Sequence, residues 1–502
     1  MLDLRLSLLA CASALALAGC AAVGPNFDAP KAATPDDWTS WRSADVSLRI
    51  PVDATKALPE GWWQTFGDPV LDGLEQRAAQ ASPDLRTAAL RYQQARAQRV
   101  TTQAQRGPEV NASAGATRQA QSENGASTRL LGVLGADPSI TEKLAAPFTL
   151  YQAGFDASWE PDLWGRVGRA IEAADADVAQ RTALLDLARL SLASDVARNY
   201  LELRTTQRQI RLMREDISAL GERLEILQAR ADGGVIDHTD LERQRSGLAA
   251  LQAQLPGLLV QESASASQVT LLLGERPGAL QAELAPRANE GEAHLPDLAN
   301  MGLGFPSEVA LRRPDIRAAE ARLHNAVASV GMATADLYPS IRLGAKFGYE
   351  SYLSGEFSDW GSRAWSIGPS ISLPIFDHGR RKSIVQLRGL QQQEAAVSYQ
   401  QTVLKAWQEI DDALTAYTAE RQQAAALQAR ARSAADAYGL VRARYQGGVT
   451  DFTAVLDTQR EDLQARRDLT ASQGRLATRY VTINRVLGNI APASALQQTS
   501  SD

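Results

Sequence analysis

Gly233-Gly234-Val235 recurs as Gly447-Gly448-Val449, at an offset of 214 along the chain. Leu273-Gly274 recurs as Leu487-Gly488, and Gly165-Arg166 as Gly379-Arg380, at the same offset of 214. Upstream the offset changes. Pro83-Asp84-Leu85-Arg86 recurs as Pro314-Asp315-Ile316-Arg317 at an offset of 231, so the first copy carries an insertion between Pro83 and Gly165. A register kept over such lengths implies two copies of one structural unit, which has to be read before any single motif.

Each copy contains segments of strict alternation. In the first, Val110, Ala112, Ala114 and Ala116 form one run, and Tyr151, Ala153, Phe155, Ala157 and Trp159 another. In the second, the runs are Ile341, Leu343, Ala345, Phe347 and Tyr349, then Trp365, Ile367, Ile371, Leu373 and Ile375. Period-two alternation predicts strands with one apolar face. At about ten residues each they have the length of a tilted, membrane-crossing strand. The alternative is the edge of a small soluble sandwich, against which stands the number of strands, two per copy, too few for an independent sheet core.

Long helical segments follow each strand pair. No proline occurs from Asp162 to Leu255 or from Ile375 to Ala491. A seam with steps of three and four runs through Val196, Tyr200, Leu203, Ile210, Met213, Ile217, Leu220, Leu224 and Leu227, with Gln207 in its polar slot. That is the coiled-coil period. The matching positions of the second copy, from Ile410, Leu414 and Tyr417 through Ala424, Ala431 and Ala434 to Tyr438 and Val441, are smaller, which permits closer packing. About 65 residues of helix would reach on the order of 100 Å. The Gly-Gly pairs are expected to stop these helices, a second helix returning antiparallel, with Pro256 bending the first return helix.

The chain opens with an apolar stretch from Leu6 to Leu17 followed by Leu17-Ala18-Gly19-Cys20. The stretch has signal-peptide length and is too short to span a bilayer. Its tetrapeptide resembles a bacterial lipobox, whose cysteine is acylated, for example with palmitate; the alternative is an ordinary secretory signal. Cys11 and Cys20 are the two cysteines of the 502 residues, so no disulfide is expected after cleavage. Net charge is −6, with no nucleic-acid footprint, and no apolar run is long enough for a transmembrane helix. The division expected is a signal peptide over 1–19, a lipid-anchored tether over 20–60, a first repeat over 61–290, a second over 291–490 and a tail over 491–502. The hairpins fall at about 109–160 and 340–376, the helical hairpins at about 167–274 and 379–489.

Four strands cannot close a barrel, and open sheet edges cannot face lipid. Closure therefore requires several chains. Two would supply eight strands and a barrel filled by side chains, three would supply twelve and a lumen. The fold class expected is mixed α and β, mainly α, internally duplicated.

Several stretches resemble the outer membrane factors of tripartite efflux and type I secretion systems, the TolC and OprM group, and within it the efflux lipoproteins of the NodT type. They are Val23-Gly24-Pro25-Asn26-Phe27, Trp62-Trp63-Gln64-Thr65-Phe66-Gly67-Asp68-Pro69, Leu311 to Arg317, Leu373-Pro374-Ile375-Phe376-Asp377, and Tyr445-Gln446-Gly447-Gly448-Val449 leading to Val455-Leu456-Asp457. The resemblance implies a homotrimer, a twelve-stranded barrel in the outer membrane and an α-helical barrel crossing the periplasm. It also implies an equatorial region drawn from residues 60–80, 275–310 and the C-terminus. It places a periplasmic adaptor at the turns Gly233, Gly234, Val235, Gly447, Gly448 and Val449, and an inner-membrane pump, of the RND type, beyond it. Asp240 and Asp457 fall at positions that line the gate, where threefold rings of carboxylates would favour cations. As plain structure, each complements a helix N-terminus. Tyr445 and Arg460 match positions that hold the closed state. Thr453 stands where some members carry an apolar plug, and Ala454 where some carry a second acid.

The resemblance to the lipoprotein branch favours efflux of drugs or other small molecules over type I protein secretion. A lipid-anchored coiled-coil scaffold would have no use for the alternating strands. An enzyme is not expected. His238, His294, His324 and His378 make no pair with metal spacing, and no phosphate loop or nucleophile elbow appears. The covalent lipid on Cys20 is the one attached group expected.

Overall fold

A computed structural model describes residues 22–31, 34–35, 45–48, 61–126, 129, 133–135, 137–234, 237–287 and 306–490. The expected signal peptide, Cys20, most of the tether, Val235 and the tail over 491–502 lie outside the described residues. In chain order the main elements are α1 Pro69–Ala81, α2 Pro83–Ala104, β1 Glu109–Gln119, α3 Pro138–Ala145 and β2 Phe148–Trp159. Then come α4 Arg166–Asp232, α5 His238–Leu272, α6 Pro306–Arg312, α7 Pro314–Ala335, β3 Ser340–Ser351, β4 Arg363–Ser372, α8 Arg380–Gln446 and α9 Phe452–Val486.

The duplication holds element by element. Helices α4 and α8 have 67 residues each, α5 and α9 have 35, and α2 and α7 have 22. The connection from β1 to β2 runs over 120–147, that from β3 to β4 only over 352–362. The excess of the first over the second equals the difference between the two motif offsets. The insertion therefore lies in the first strand connection, where α3 forms.

The chain divides into two compact units. One holds the described residues up to Asp28 with Ala95–Val178 and Arg322–Ala395; the other holds Ala29–Gln94, Ala179–Ala321 and the chain from Ala396. The first unit carries one antiparallel sheet in the order β1-β2-β3-β4. Gly154 and Gly348 face each other across β2 and β3. A Cβ on Gly154 would stand 2.6 Å from the Phe347 carbonyl oxygen and 2.8 Å from the Gly348 Cα, so this junction requires residues without a side chain. The alternating run that continues to Leu373 and Ile375 overshoots the strand, which stops at Ser372. Pro374 follows and has no N–H to give to a ladder. Below the strands, Trp164 stacks on Tyr338 at 4.7 Å and donates Nε1–H to the Pro339 carbonyl. Gly165 and Gly379 turn the chain into α4 and α8 with φ of 76° and 82°, a conformation that favours glycine.

The second unit is helical, and its main core gathers Trp62, Leu71, Leu74, Tyr200, Ile410 and Tyr417, all 1% exposed or less apart from Tyr417 at 2%. The seam of α4 is buried at Val196, Tyr200, Leu203, Ile210, Met213, Leu220 and Leu227, while Ile217 and Leu224 are half-buried. Gln207, its polar slot, is buried and donates to the Leu284 carbonyl and to Glu262. Two pairs of repeated motifs meet here. Gly274 and Gly488 close α5 and α9 with φ of 70° and 68°. A Cβ on Gly274 would lie 2.9 Å from the Pro83 ring, and one on Gly488 3.1 Å from the Arg313 Cα. The Leu-Gly motif of each copy thus packs on the Pro-Asp motif that begins the same copy. Arg313 is buried beside its motif, and it donates to Asp315 at 2.6 and 3.0 Å, Glu409 at 2.7 Å and the Val486 carbonyl at 2.6 Å. Burial works against its charge, yet Asp315 and Glu409 outweigh it and raise its pKa.

Candidate functional site

The glycine turns end the long helices as their sequence requires. Gly234 and Gly448 take φ of 71° and 73°. In the second turn Val449 donates to the Arg444 carbonyl at 2.9 Å and Gly448 to that of Tyr445 at 3.0 Å, satisfying carbonyls left free at a helix end. Each return helix starts on an aspartate cap. Asp237 accepts from the Thr239 N–H, and Asp451, its counterpart at the repeat offset, from that of Ala454. The Thr239 N–H also holds the Asp237 carboxyl below its ordinary pKa. Gly233, Gly234, Gly447, Gly448 and Val449 are all exposed.

The two tips share a core. Leu227, Ala231 and Leu241 of the first are packed by Phe452 of the second. Phe452 also sits 5.3 Å from the Tyr445 ring. The Tyr445 hydroxyl accepts from Arg230, and one layer away Tyr438 accepts from Arg223 at 2.9 Å. Tyr445 is therefore tied across to α4, and among the described residues not to Arg460 or Asp457. Spacings of four and three put Thr453, Asp457 and Arg460 on one face of α9. Asp457 and Arg460 are exposed, with no ion-pair partner among the described residues. Asp240 lies in the first turn of α5, 3.5 Å from Arg243. The offset of 214 sets Asp240 against Ala454 and Asp457 against Arg243, so the two carboxylates occupy different levels of equivalent helices.

Farther along the hairpins, Asp216 of α4 is 6% exposed and accepts from Arg467 of α9 at 3.2 Å. Burial raises its pKa to about 6, although Arg467 and Arg466 pull the other way. Neither this pair nor the bond from Arg230 to Tyr445 follows from sequence. Their partners lie 251 and 215 residues apart, and only the packing of one hairpin on the other pairs them.

The sheet is the other candidate wall. Cross-strand rows place Ala112, Phe155, Phe347 and Trp365 side by side, and next to them Val110, Ala157, Ala345 and Ile367. Phe155, Phe347, Trp365 and Ile367 are 61%, 47%, 67% and 76% exposed, an apolar face too continuous for water. The opposite face carries Asn111, Asp156, Lys346 and Ser366 in one row. Among the described residues β1 and β4 each have one edge with no partner strand, and no helix is long and apolar enough to cross a membrane.

The family model for outer membrane efflux proteins matches residues 74–275 and 305–489. The pyoverdine export outer membrane protein OpmQ of Pseudomonas putida is 31% identical over 487 residues, 95% of each chain. Outer membrane protein OprJ of Pseudomonas aeruginosa is 30% identical over 89% of this chain and 88% of its own. Among solved structures, the outer-membrane channel OprN superposes with a TM-score of 0.81 at 30% identity, covering 93% of this chain and 99% of that one. The open state of the Neisseria gonorrhoeae MtrE outer membrane channel gives 0.74 at 26% identity, covering 93% and 98%.

Proposed function

We propose that the chain, which belongs to the outer membrane efflux protein family, is the outer-membrane exit duct of a tripartite efflux system in which three copies close one channel, each donating four strands to a twelve-stranded barrel. The observation that carries this reading is the four-stranded sheet with a continuous apolar face and two free edges among the described residues. Lipid covers such a face, and only strands of other copies satisfy such edges. Three copies leave a lumen, whereas two fill it with side chains.

In this reading Cys20 carries the lipid anchor, and the turns at Gly233, Gly234 and Val235 and at Gly447, Gly448 and Val449 receive a periplasmic adaptor. An RND-type inner-membrane pump supplies the energy. The cargo is small organic molecules, as the naming of the relative OpmQ for pyoverdine export suggests. Asp240 and Asp457 form acidic rings at two levels of the gate, with Thr453 and Arg460 on the Asp457 face and Tyr445 holding the two tips together. The adaptor opens the gate only by binding the open arrangement more tightly than the closed one.

The test is ion selectivity in planar bilayers. Asp457→Asn removes one ring of three charges, so the reversal potential in a salt gradient is expected to move toward zero and leak to rise. An unchanged reversal potential and conductance in that variant and in Asp240→Asn would overturn the placement of these carboxylates in the pore.

A further inference from the structure

We propose that β4 pairs with β1 of the next copy in one register, with Gly368 opposite Gly115. The inference rests on the reading that copies of this chain share one barrel, and it names the contact between them. Continuity of the two faces limits the choice. β1 turns Val110, Ala112, Ala114 and Ala116 to the apolar face, and β4 turns Trp365, Ile367 and Ile371 to the same face. A slip of one residue would set apolar against polar, so the admissible registers differ by steps of two.

Glycine chooses among them. β1 and β4 each hold one glycine, Gly115 and Gly368, and both lie on the polar face. At both junctions made by β3, glycine already stands opposite glycine: Gly154 with Gly348, and Gly344 with Gly368. A closing wall crowds its inner face, and glycine lets strands curve and approach there. Gly115 opposite Gly368 carries that pattern across the seam.

The neighbouring registers fail on contacts. Two residues one way, Arg118 comes opposite Arg363, like charge on like. Two residues the other way, the seam copies the β2–β3 junction at the repeat offsets of 231 and 214, with Thr117 in the place of Gly348. A Cβ in that place stands 2.6 Å from the Ala153 carbonyl oxygen, so a branched side chain has no room. The junction between copies is therefore set differently from the junction within a copy.

The tilt agrees. In the proposed register the row of Asn111, Asp156, Lys346 and Ser366 continues at Thr117 of the next copy, six residues farther along β1. With a rise of about 3.3 Å per residue and strands about 4.8 Å apart, that climb over four strands tilts them by about 45°, as membrane-crossing strands are tilted. The register with Thr117 opposite Gly368 climbs eight residues and demands about 54°, outside the range of about 35–45°.

The test is disulfide mapping of the full-length protein in outer membranes, with copper phenanthroline as the oxidant. Four exposed positions are used, Asn111, Ser113, Ser370 and Ser372. Within one chain β2 and β3 separate β1 from β4, so a link reports a second copy. Asn111→Cys/Ser372→Cys and Ser113→Cys/Ser370→Cys place cysteines directly opposite, about 4.5–5.5 Å apart at Cα, and should give linked pairs and trimers on non-reducing gels. Asn111→Cys/Ser370→Cys and Ser113→Cys/Ser372→Cys place them diagonally, about 7–8 Å apart, beyond a disulfide's span, and should stay single chains. Each position serves in one linking and one silent variant, so misfolding cannot imitate the pattern. Linkage through a diagonal variant instead would overturn the register and leave the shared barrel standing. Single chains in all four would overturn the register as well. Native mass spectrometry of the same samples then decides the shared barrel, which a particle of three chains keeps and a particle of one chain overturns.

Discussion

The helical hairpin of α4 and α5 and that of α8 and α9 share a backbone and differ in what fills it. Their helices match in length, their turns in glycine conformation and their return helices in aspartate caps. Yet the first is packed by Met213, Leu220 and Leu251 with Ile217 and Leu255 alongside. At the same offset of 214 the second has Ala431 for Ile217, Ala434 for Leu220 and Ala465 for Leu251. Charges diverge too. Asp216 of the first hairpin stands where the second has Arg430, which pairs with Asp468 at 2.8 Å on its own return helix. Asp216 instead takes Arg467 from the other hairpin. Caps and turn glycines set length and reversal, which duplication preserves; side-chain volume and charge decide how each hairpin seats against its neighbours, and these are free to diverge.

The largest effect is expected where the hairpins exchange charge. Arg467→Ala leaves Asp216 buried without its partner and should lower stability by about 3–5 kcal/mol at pH 8. The folded-state pKa of Asp216, about 6, lies above its ordinary 3.8. Between those values the folded chain holds more protons than the unfolded one, so this group's contribution to stability falls as pH rises through the window. Losing Arg467 raises that pKa further, and the defect should shrink at pH 5. Thermal melts followed by circular dichroism at the two pH values check it. Equal losses at both would show that Asp216 is not carrying a charge in the fold.

Next come the interiors. Leu251→Ala should cost about 2–5 kcal/mol by leaving a cavity, while Ala465→Leu, its counterpart, should cost about 1–3 kcal/mol by overfilling. A neutral Ala465→Leu in chemical denaturation would mean that the second hairpin is not the more tightly seated one.

A last substitution is diagnostic through its sign. Gly474 lies inside α9, where a Cβ would come within 2.9 Å of the Thr205 Cβ of α4. Its counterpart, Val260, is 70% exposed. Gly→Ala at an exposed helix position stabilises by about 1 kcal/mol, but Gly474→Ala should destabilise, by about 1–3 kcal/mol. A raised melting temperature in that variant would break the contrast.

The repeat, the four strands and the helix ends are legible because each has a local cause: alternation, a glycine at positive φ, a capping aspartate. The insertion can be bracketed only between Pro83 and Gly165, since arithmetic on motifs says nothing about the chain between them; the fold puts it before β2. The overshoot to Ile375 arises because alternation reports an apolar face and is blind to the hydrogen-bond ladder that ends a strand. Around the candidate gate, the one-face spacing of Thr453, Asp457 and Arg460 is readable. The bond from Arg230 to Tyr445 and the pair Asp216 and Arg467 are not, because no local rule says which faces of two separate hairpins will meet.

On the proposed reading, lipid covers the apolar face of the four-stranded sheet and other copies of this chain complete its two free edges. Native mass spectrometry of the detergent-extracted protein tests it most directly. A particle of three chains is predicted, with Cys20 acylated in each; a particle of one chain, or a closed pair of eight strands, would contradict it.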